Sequence, residues 1–297
     1  MKTDTVITVG KFEALHLGHD LLIKSTADYA RLHGLTSAVL SFAPHPAQVL
    51  YDCGYKPLYS KEEQAFLLKP YHIDRWIPYP FDKDFAQLPP LAFCSILKEQ
   101  LNCKALLVGE GFRFGRNREG TSKTLCPLLE VVTIPYHHLE GEKISTSQIR
   151  ELLAKGLIQE ANKRLGRPFL IMGTVQKGRQ LGRTMGFPTA NIHPACDKFL
   201  PPDGVYATKI TLGGLKKAAG SPLPGITNIG TNPTIKGAQS HKVETHIFDF
   251  DSDIYGEEVA VELYAFIRPE KTFSGLDELK RQIAADVKKA QNVLPGP

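Results

Sequence analysis

No apolar run in this 297-residue chain approaches the roughly 18 residues that a membrane-spanning helix needs. The stretch from Met1 to Gly10 carries one basic residue and a short β-like apolar run, without the longer apolar core and small-residue cleavage site of a signal peptide. A cytoplasmic protein with no membrane partner is expected. Cysteine is scarce as well. Cys53, Cys94, Cys103, Cys126 and Cys196 are scattered, odd in number and never spaced C-x-x-C, which excludes a disulfide framework and a zinc site. Buried, reduced thiols are the expectation.

Three familiar ligand loops are also missing. There is no G-x-x-x-x-G-K-[ST] phosphate loop, because Gly115 to Gly120 is followed by Thr121 and Gly173 to Gly178 by Arg179. Asp249-x-Asp251-x-Asp253 begins like a calcium loop, but its sixth position is Ile254 and its twelfth Ala260. Gly109-x-Gly111 follows an apolar run, yet Phe114 stands where a dinucleotide fingerprint needs its last glycine. His137 and His138 are adjacent, face opposite ways on a strand, and are read as structural or solvated.

What is present fits two globular domains. The composition is 42% hydrophobic and 23% charged, and the length exceeds what one core usually supports. Residues 1–160 hold 18 basic and 18 acidic groups, whereas residues 161–297 hold 18 and 13, so the net charge of +5 belongs to the second half. Lys163, Arg164, Arg167, Lys177, Arg179 and Arg183 occur there with no acidic residue between them, which suits a local anion site better than a nucleic-acid face.

The first half alternates short aliphatic runs (Thr5–Val9, Ala38–Phe42, Ala105–Val108, Val131–Ile134) with helical patterns (Leu17–His33, Lys61–Lys69, Leu91–Leu101, Ser147–Lys155). This is the signature of a parallel α/β sheet. After Gly166-Arg167-Pro168 the texture changes to Val, Ile, Thr and Tyr runs at Phe169–Val175, Val205–Leu212, Val243–Phe250 and Val259–Ile267, which predict an antiparallel barrel or sandwich. Leu276–Val293 is helical, with Leu276, Leu279, Ile283, Val287 and Ala290 on one face. The texture places the boundary near residues 156–167, giving domains 1–156 and 167–297.

The segment from Gly178 to Asn191 packs Gly178, Gly182 and Gly186 with Arg179, Arg183, Pro188, Thr189 and Asn191. Such glycines let backbone N–H groups approach an anion, arginines neutralise it, and Thr189 and Asn191, alternating on an extended segment, offer oxygens to Mg²⁺ and phosphate. A second phosphate-handling pattern follows Thr5–Val9, where His16-x-Gly18-His19 stands at a helix start whose unpaired backbone donors and dipole favour an anion. Ser145-Thr146-Ser147 with Arg150 offers a further clamp at a hydroxyl-rich helix start.

These first-half motifs, with Phe42-Ala43-Pro44-His45-Pro46 and the glycine loop from Val108 to Gly120, resemble the adenylyltransferase half of bacterial FAD synthetase. Gly186-Phe187-Pro188-Thr189-Ala190-Asn191, Asn228-Ile229-Gly230-Thr231-Asn232-Pro233-Thr234, Glu244-Thr245-His246 and Arg268-Pro269-Glu270 are similar to riboflavin kinase, the module fused to it in the bifunctional prokaryotic enzyme. The resemblance implies a Rossmann-like nucleotidylyltransferase domain followed by a β-barrel kinase domain with a terminal helix. It further implies riboflavin, FMN and ATP as ligands, Mg²⁺ as cofactor, FAD as product and no nucleic acid.

By the same resemblance, His16, His19 and Arg150 act in adenylyl transfer, with Gly10, Phe12, Gly18, Arg118 and Ser147 around the ATP phosphates and His45 and Pro46 at the flavin. Glu244 is the kinase base, Thr189 and Asn191 hold the metal, and Gly178, Arg179, Gly182, Arg183, Gly186 and Pro188 surround ATP. The chain departs from the family at Glu13, Ala14 and Gly111, where Asp, Gly and an acidic residue are usual. Ala14 is costly if its backbone needs positive φ. Two other readings stay open: a monofunctional riboflavin kinase with a weak or regulatory first domain, and a non-catalytic flavin-sensing or RNA-binding regulator.

Overall fold

The structure, a computed structural model, describes residues 3–51, 54–125, 129–178, 182, 185–213, 221–233 and 239–296. The chain forms two compact units, one of residues 1–57 and 64–146, the other of residues 58–63 and 147–297.

The first unit is built on strands β1 (Thr5–Val9), β2 (Thr36–Ala43), β3 (Arg75–Pro80), β4 (Cys103–Gly109) and β5 (Glu130–Ile134), in the order β3-β2-β1-β4-β5 and all parallel. Alternate residues serve opposite faces. Ile7, Val9, Leu40, Leu106 and Val108 meet Phe93 and Leu97 on one side, while Val6, Val39, Ala105 and Leu107 meet Leu22 and Ile23 of helix α1 (Leu17–His33) on the other. Each of these large side chains contributes about 1.5–3 kcal/mol by leaving water. Gly34, at φ 65°, ends α1.

Helices α2 (Pro46–Leu50) and α3 (Lys61–Leu68) follow β2. The pattern at Leu91–Leu101 becomes α4 (Pro90–Ser95) and then a π turn over Ile96–Gln100. Strand β3 escaped the sequence reading because Pro78 and Pro80 interrupt it; proline is tolerated there because β3 is an edge strand.

In the second unit, α5 (Thr146–Ala154) and α6 (Ile158–Leu165) precede a closed antiparallel barrel. Its strands are β6 (Phe169–Gln176), β7 (Ala190–His193), β8 (Gly204–Leu212), β9 (Leu223–Pro233), β10 (Gln239–Ile247) and β11 (Glu258–Pro269), in the order β6-β7-β10-β9-β8-β11 with β11 closing on β6. Strand β9 was not anticipated, β7 falls on the segment read as extended around Asn191, and β10 stops before Asp249, whose φ of 50° turns the chain.

The barrel buries hydroxyls as well as hydrocarbon: Thr227 Oγ1 lies 3.0 Å from Thr208 Oγ1 and 2.8 Å from Thr245 Oγ1, so each polar atom is satisfied. Helix α7 (Leu276–Val293) lays Ile283, Val287 and Ala290 on Val205, Ala207, Ile226 and Ala265. Leu276, expected on that face, is 67% exposed because it is the first helical residue after Gly275.

The segment 58–63 belongs to the second unit through a buried ion pair. Lys198 Nζ donates to Glu63 Oε2 at 2.7 Å and to the Leu58 carbonyl at 2.6 Å. It lies 4.9 and 4.7 Å from the ring centroids of Tyr59 and Phe169. Glu63 also accepts the Met172 N–H at 2.7 Å. Burial pulls the Lys198 ammonium below its ordinary range, and Glu63 opposes that shift. Cys94 and Cys103 are buried as expected, and burial raises the Cys94 thiol and pushes Cys103 up to about 12; Cys196 is exposed, contrary to expectation. Cys53 and Cys126 lie outside the described residues.

Candidate active sites

In the first unit the candidate side chains His16, His19, His45 and Arg118 stand on or just beyond the loops that leave the carboxyl ends of β1, β2 and β4. Gly10 lies under the Phe12 ring, and the left-handed residues of the β1 loop are Phe12 (φ 45°) and Leu15 (φ 47°). Ala14 is not among the positive-φ residues, so the alanine carries no backbone penalty there.

His16 is the N-cap of α1, its Nδ1 accepting the N–H groups of Gly18 (3.1 Å) and His19 (3.3 Å). This corrects the expectation that those donors are unpaired. With Nδ1 used as an acceptor, the ring proton resides on Nε2, so His16 presents an N–H in place of the backbone. The His19 ring stacks on His16 at 3.9 Å and tilts against Phe12 at 5.1 Å. Gly18 packs closely on the His16 ring, where an added Cβ would stand 3.1 Å from it and press the ring aside by a few tenths of an ångström. The same Cβ position lies 3.8 Å from His137, which the sequence reading set aside and the fold brings to the start of α1.

His45 caps α2 in the same manner. Its Nδ1 accepts the Ala47 N–H at 3.2 Å, Gln48 returns a bond to the His45 N–H at 3.0 Å, and Pro46 occupies the first turn. Glu13, 2% exposed, directs Oε2 at Tyr55 Oη (2.5 Å) and His45 Nε2 (3.4 Å).

In the β4 loop, a Cβ at residue 111 would stand 1.7 Å from Tyr136 Oη, so a phenol fills the space beside Gly111, with Lys143 Nζ 3.3 Å above its ring. Arg118 is exposed, left-handed at φ 59° and preceded by the equally left-handed Asn117. Ser147 and Arg150 stand on α5 in the second unit, Ser147 exposed and the Arg150 guanidinium 5.2 Å over Phe199.

The barrel site is set by register. Asn191 of β7 and Asn228 of β9 both pair with Glu244 of β10, which aligns three polar side chains across adjacent strands. They line a cleft of about 540 Å³ together with Thr189, Lys242, His246, Arg268 and Asp286. Lys242 pairs with Glu244. Arg268 is held by Asp286, with Nε and Nη2 each 2.9 Å from Oδ2.

The loop before β7 closes on itself, the N–H groups of Met185 and Phe187 both donating to the Gly182 carbonyl (3.1 and 2.9 Å). His246 Nδ1 donates to the Pro188 carbonyl at 2.8 Å, and Gly186 turns at φ 83°. A side chain at Gly178 would collide with the Asn191 amide, 2.3 Å from the Cβ position. A second cleft of about 220 Å³, lined by Val175, Pro188, Thr189, Asp251, Asp253 and Tyr255, meets the first at Thr189. Arg179 and Arg183 lie outside the described residues.

Among the described residues no group of three or more His, Cys, Asp or Glu could hold a metal ion. Asn191 Oδ1 is buried and finds no hydrogen-bond partner among them. A neutral oxygen of this kind beside Thr189 suits Mg²⁺ arriving with phosphate, since that ion keeps most of its shell as water and phosphate oxygen.

Residues 1–148 match the FAD synthetase family and residues 165–294 the riboflavin kinase family. The chain is 35% identical over 287 residues to the bifunctional riboflavin kinase/FMN adenylyltransferase of Listeria monocytogenes, spanning 95% of this chain and 90% of that protein. To the Escherichia coli K12 protein of the same description it is 36% identical over 288 residues, with 95% and 90% covered. It also superposes on the solved structure of a macrolide-efflux protein from Streptococcus pneumoniae with a TM-score of 0.86 and 30% identity, over 98% of this chain and 95% of that one. Among the described residues no helix is long and apolar enough to cross a membrane. Full-length identity above 30% and two adjoining family matches lead to one assignment: the chain belongs to the bifunctional riboflavin kinase/FMN adenylyltransferase family.

Proposed function

We propose that residues 167–297 phosphorylate riboflavin to FMN and residues 1–156 transfer AMP from ATP to FMN, releasing pyrophosphate. The observation that carries this reading is the row Asn191–Glu244–Asn228 on the wall of a cleft that meets a second cleft at Thr189. The nucleoside of ATP occupies the smaller cleft, its phosphates pass Thr189, and the ribityl hydroxyl of riboflavin lies by Glu244. Glu244 accepts the hydroxyl proton as oxygen attacks the γ-phosphorus. Thr189 and Asn191 would hold Mg²⁺, which would supply charge neutralisation to the phosphates. Gly178, Gly182, Gly186 and Pro188 shape the phosphate loop, to which Arg179 and Arg183 add charge.

In the first unit a phosphate oxygen of FMN attacks the α-phosphorus of ATP, a step that needs placement and charge neutralisation but no covalent nucleophile. His16 and His19 hold the triphosphate beside Gly10, Phe12 and Gly18. Arg118 steadies the departing pyrophosphate, and His45 and Pro46 meet the flavin. Chromatography of the products from riboflavin, ATP and Mg²⁺ tests the whole reading. FAD is expected; FMN alone would leave a monofunctional kinase, and neither product would leave a regulator.

A further inference from the structure

Glu13 and Tyr55 have no part in the scheme above, yet they join its two histidine loops. Glu13 leaves the end of β1 in the loop that carries His16, and His45 opens the helix after β2. Its carboxylate is almost fully buried, accepts the Tyr55 hydroxyl at 2.5 Å and faces His45 Nε2 at 3.4 Å. The Tyr55 and His45 rings stack with centroids 4.9 Å apart and planes 8° from parallel. Because His45 Nδ1 accepts from Ala47, its ring proton lies on Nε2, the atom turned toward Glu13. The carboxylate therefore fixes the Tyr55 ring by the hydroxyl it binds, and the stacked phenol in turn sets the His45 ring, whose Nε2 faces the carboxylate at 3.4 Å without hydrogen-bond geometry.

We propose that Glu13 is a positioning residue for adenylyl transfer, acting through Tyr55 and His45 to hold the flavin-side loop in register with the triphosphate-holding loop. The inference rests on the adenylyl-transfer reading given above. It gives the longer acidic arm a purpose, since one methylene fewer withdraws the carboxylate by about 1.5 Å, out of reach of the Tyr55 hydroxyl. At 2% exposure the Glu13 carboxylate acts through neighbouring side chains. Its loss is felt as misplacement of FMN, and a shift of about 1 Å at a reacting pair is enough to cost up to 10²-fold.

The test uses the full chain and measures two reactions in each preparation: FAD from FMN and ATP, and FMN from riboflavin and ATP. Glu13→Ala and Tyr55→Phe are expected to lower the FAD rate about tenfold or more, mainly through a raised KM for FMN, with the KM for ATP and the rate of FMN formation unchanged. Glu13→Gln, which keeps an acceptor oxygen at full length, is expected to retain more activity than Glu13→Asp, which keeps the charge but shortens the arm. The double variant Glu13→Ala/Tyr55→Phe should be no worse than Glu13→Ala alone. Unchanged FAD formation in both single variants overturns the inference, as does an equal rise in both KM values or an equal fall in both reactions. A wild-type chain that forms FMN but no FAD defeats the adenylyl-transfer reading itself, a result distinct from any of these.

Discussion

The two units orient their candidate site side chains in different ways. In the α/β unit, His16 and His45 stand on loops beyond strand ends, and each is oriented by capping the helix that follows it. In the barrel, Asn191, Glu244 and Asn228 are oriented by strand register, so the backbone ladder itself sets their spacing. Each capping histidine spends Nδ1 on the backbone, and His45 turns its other ring nitrogen toward Glu13. A register-held carboxylate spends nothing on its own placement, so Glu244 is left to pair with Lys242. The capped site thus depends on side-chain bonds that a single substitution removes, whereas the register site survives loss of any one side chain in shape, though not in chemistry.

Glu244→Gln breaks this comparison most sharply if it is wrong. The substitution is nearly isosteric and the ladder does not depend on it, so the barrel should keep its unfolding midpoint while FMN formation falls by about 10²–10⁴-fold. FAD formation from supplied FMN should be unchanged. The reciprocal variant, His16→Ala, removes both a ring donor and a helix cap, so FAD formation should fall by about 10²-fold and the first unit should lose about 1 kcal/mol. Kinetics of the two reactions with denaturant unfolding separate the cases. A Glu244→Gln protein that unfolds early would show that register alone does not build the barrel site.

The same contrast governs what could be read from the sequence. Thr5–Val9, Leu17–His33 and Leu276–Val293 have the observed limits because hydrophobic period and flanking breakers coincide there. The barrel strands with dense Val, Ile and Tyr were legible, but β9 was not, since Pro224, Gly225, Gly230 and Pro233 dilute its pattern and only the pairing across the barrel stabilises it. That Asn191 and Glu244 would be neighbours depends on a pairing between strands over 50 residues apart, which spacing along the chain does not reveal. The tie between Glu13 and Tyr55 is equally long-range, and the use of His16 Nδ1 as a cap is a choice of ring orientation that composition does not encode. Lys198 and Glu63 look like ordinary surface charges in sequence, yet both are fully buried.

That buried pair tests whether the barrel's frame is as self-sufficient as its ladder suggests. Residues 58–63 lie far upstream of the barrel in sequence but belong to its unit, and Lys198→Met would leave the Glu63 carboxylate buried with only neutral donors. Removing one partner of such a pair costs about 3–5 kcal/mol, while replacing both with apolar groups of similar volume is close to neutral. Denaturant unfolding of the full chain is therefore expected to show a large loss in Lys198→Met and recovery in Lys198→Met/Glu63→Met, with FMN formation following stability. Equal losses in the single and double variants would mean that packing of Tyr59 on Phe169, rather than the charge pair, fixes the segment.

The smallest expected effect concerns α7, whose residues Leu279 and Ile283 complete the wall of the larger cleft without belonging to the strand ladder. Glu278, in the first turn, accepts the Ser274 N–H at 3.0 Å, the Ser274 hydroxyl at 2.8 Å and Lys271 Nζ at 3.3 Å. The backbone bond from Ser274 is the main cause, followed by the hydroxyl and Lys271, of a carboxyl pKa lowered from 4.5 to about 2. A depressed acid stabilises the fold wherever the unfolded group is ionised, so this contribution is complete above pH 4.5 and drains away as pH falls toward 2. Thermal melts should accordingly show a small acid-side loss that Glu278→Gln abolishes. At neutral pH the same variant should raise the KM for riboflavin slightly while leaving kcat alone, because fraying the start of α7 loosens one wall of the cleft and leaves the Asn191–Glu244–Asn228 row in place.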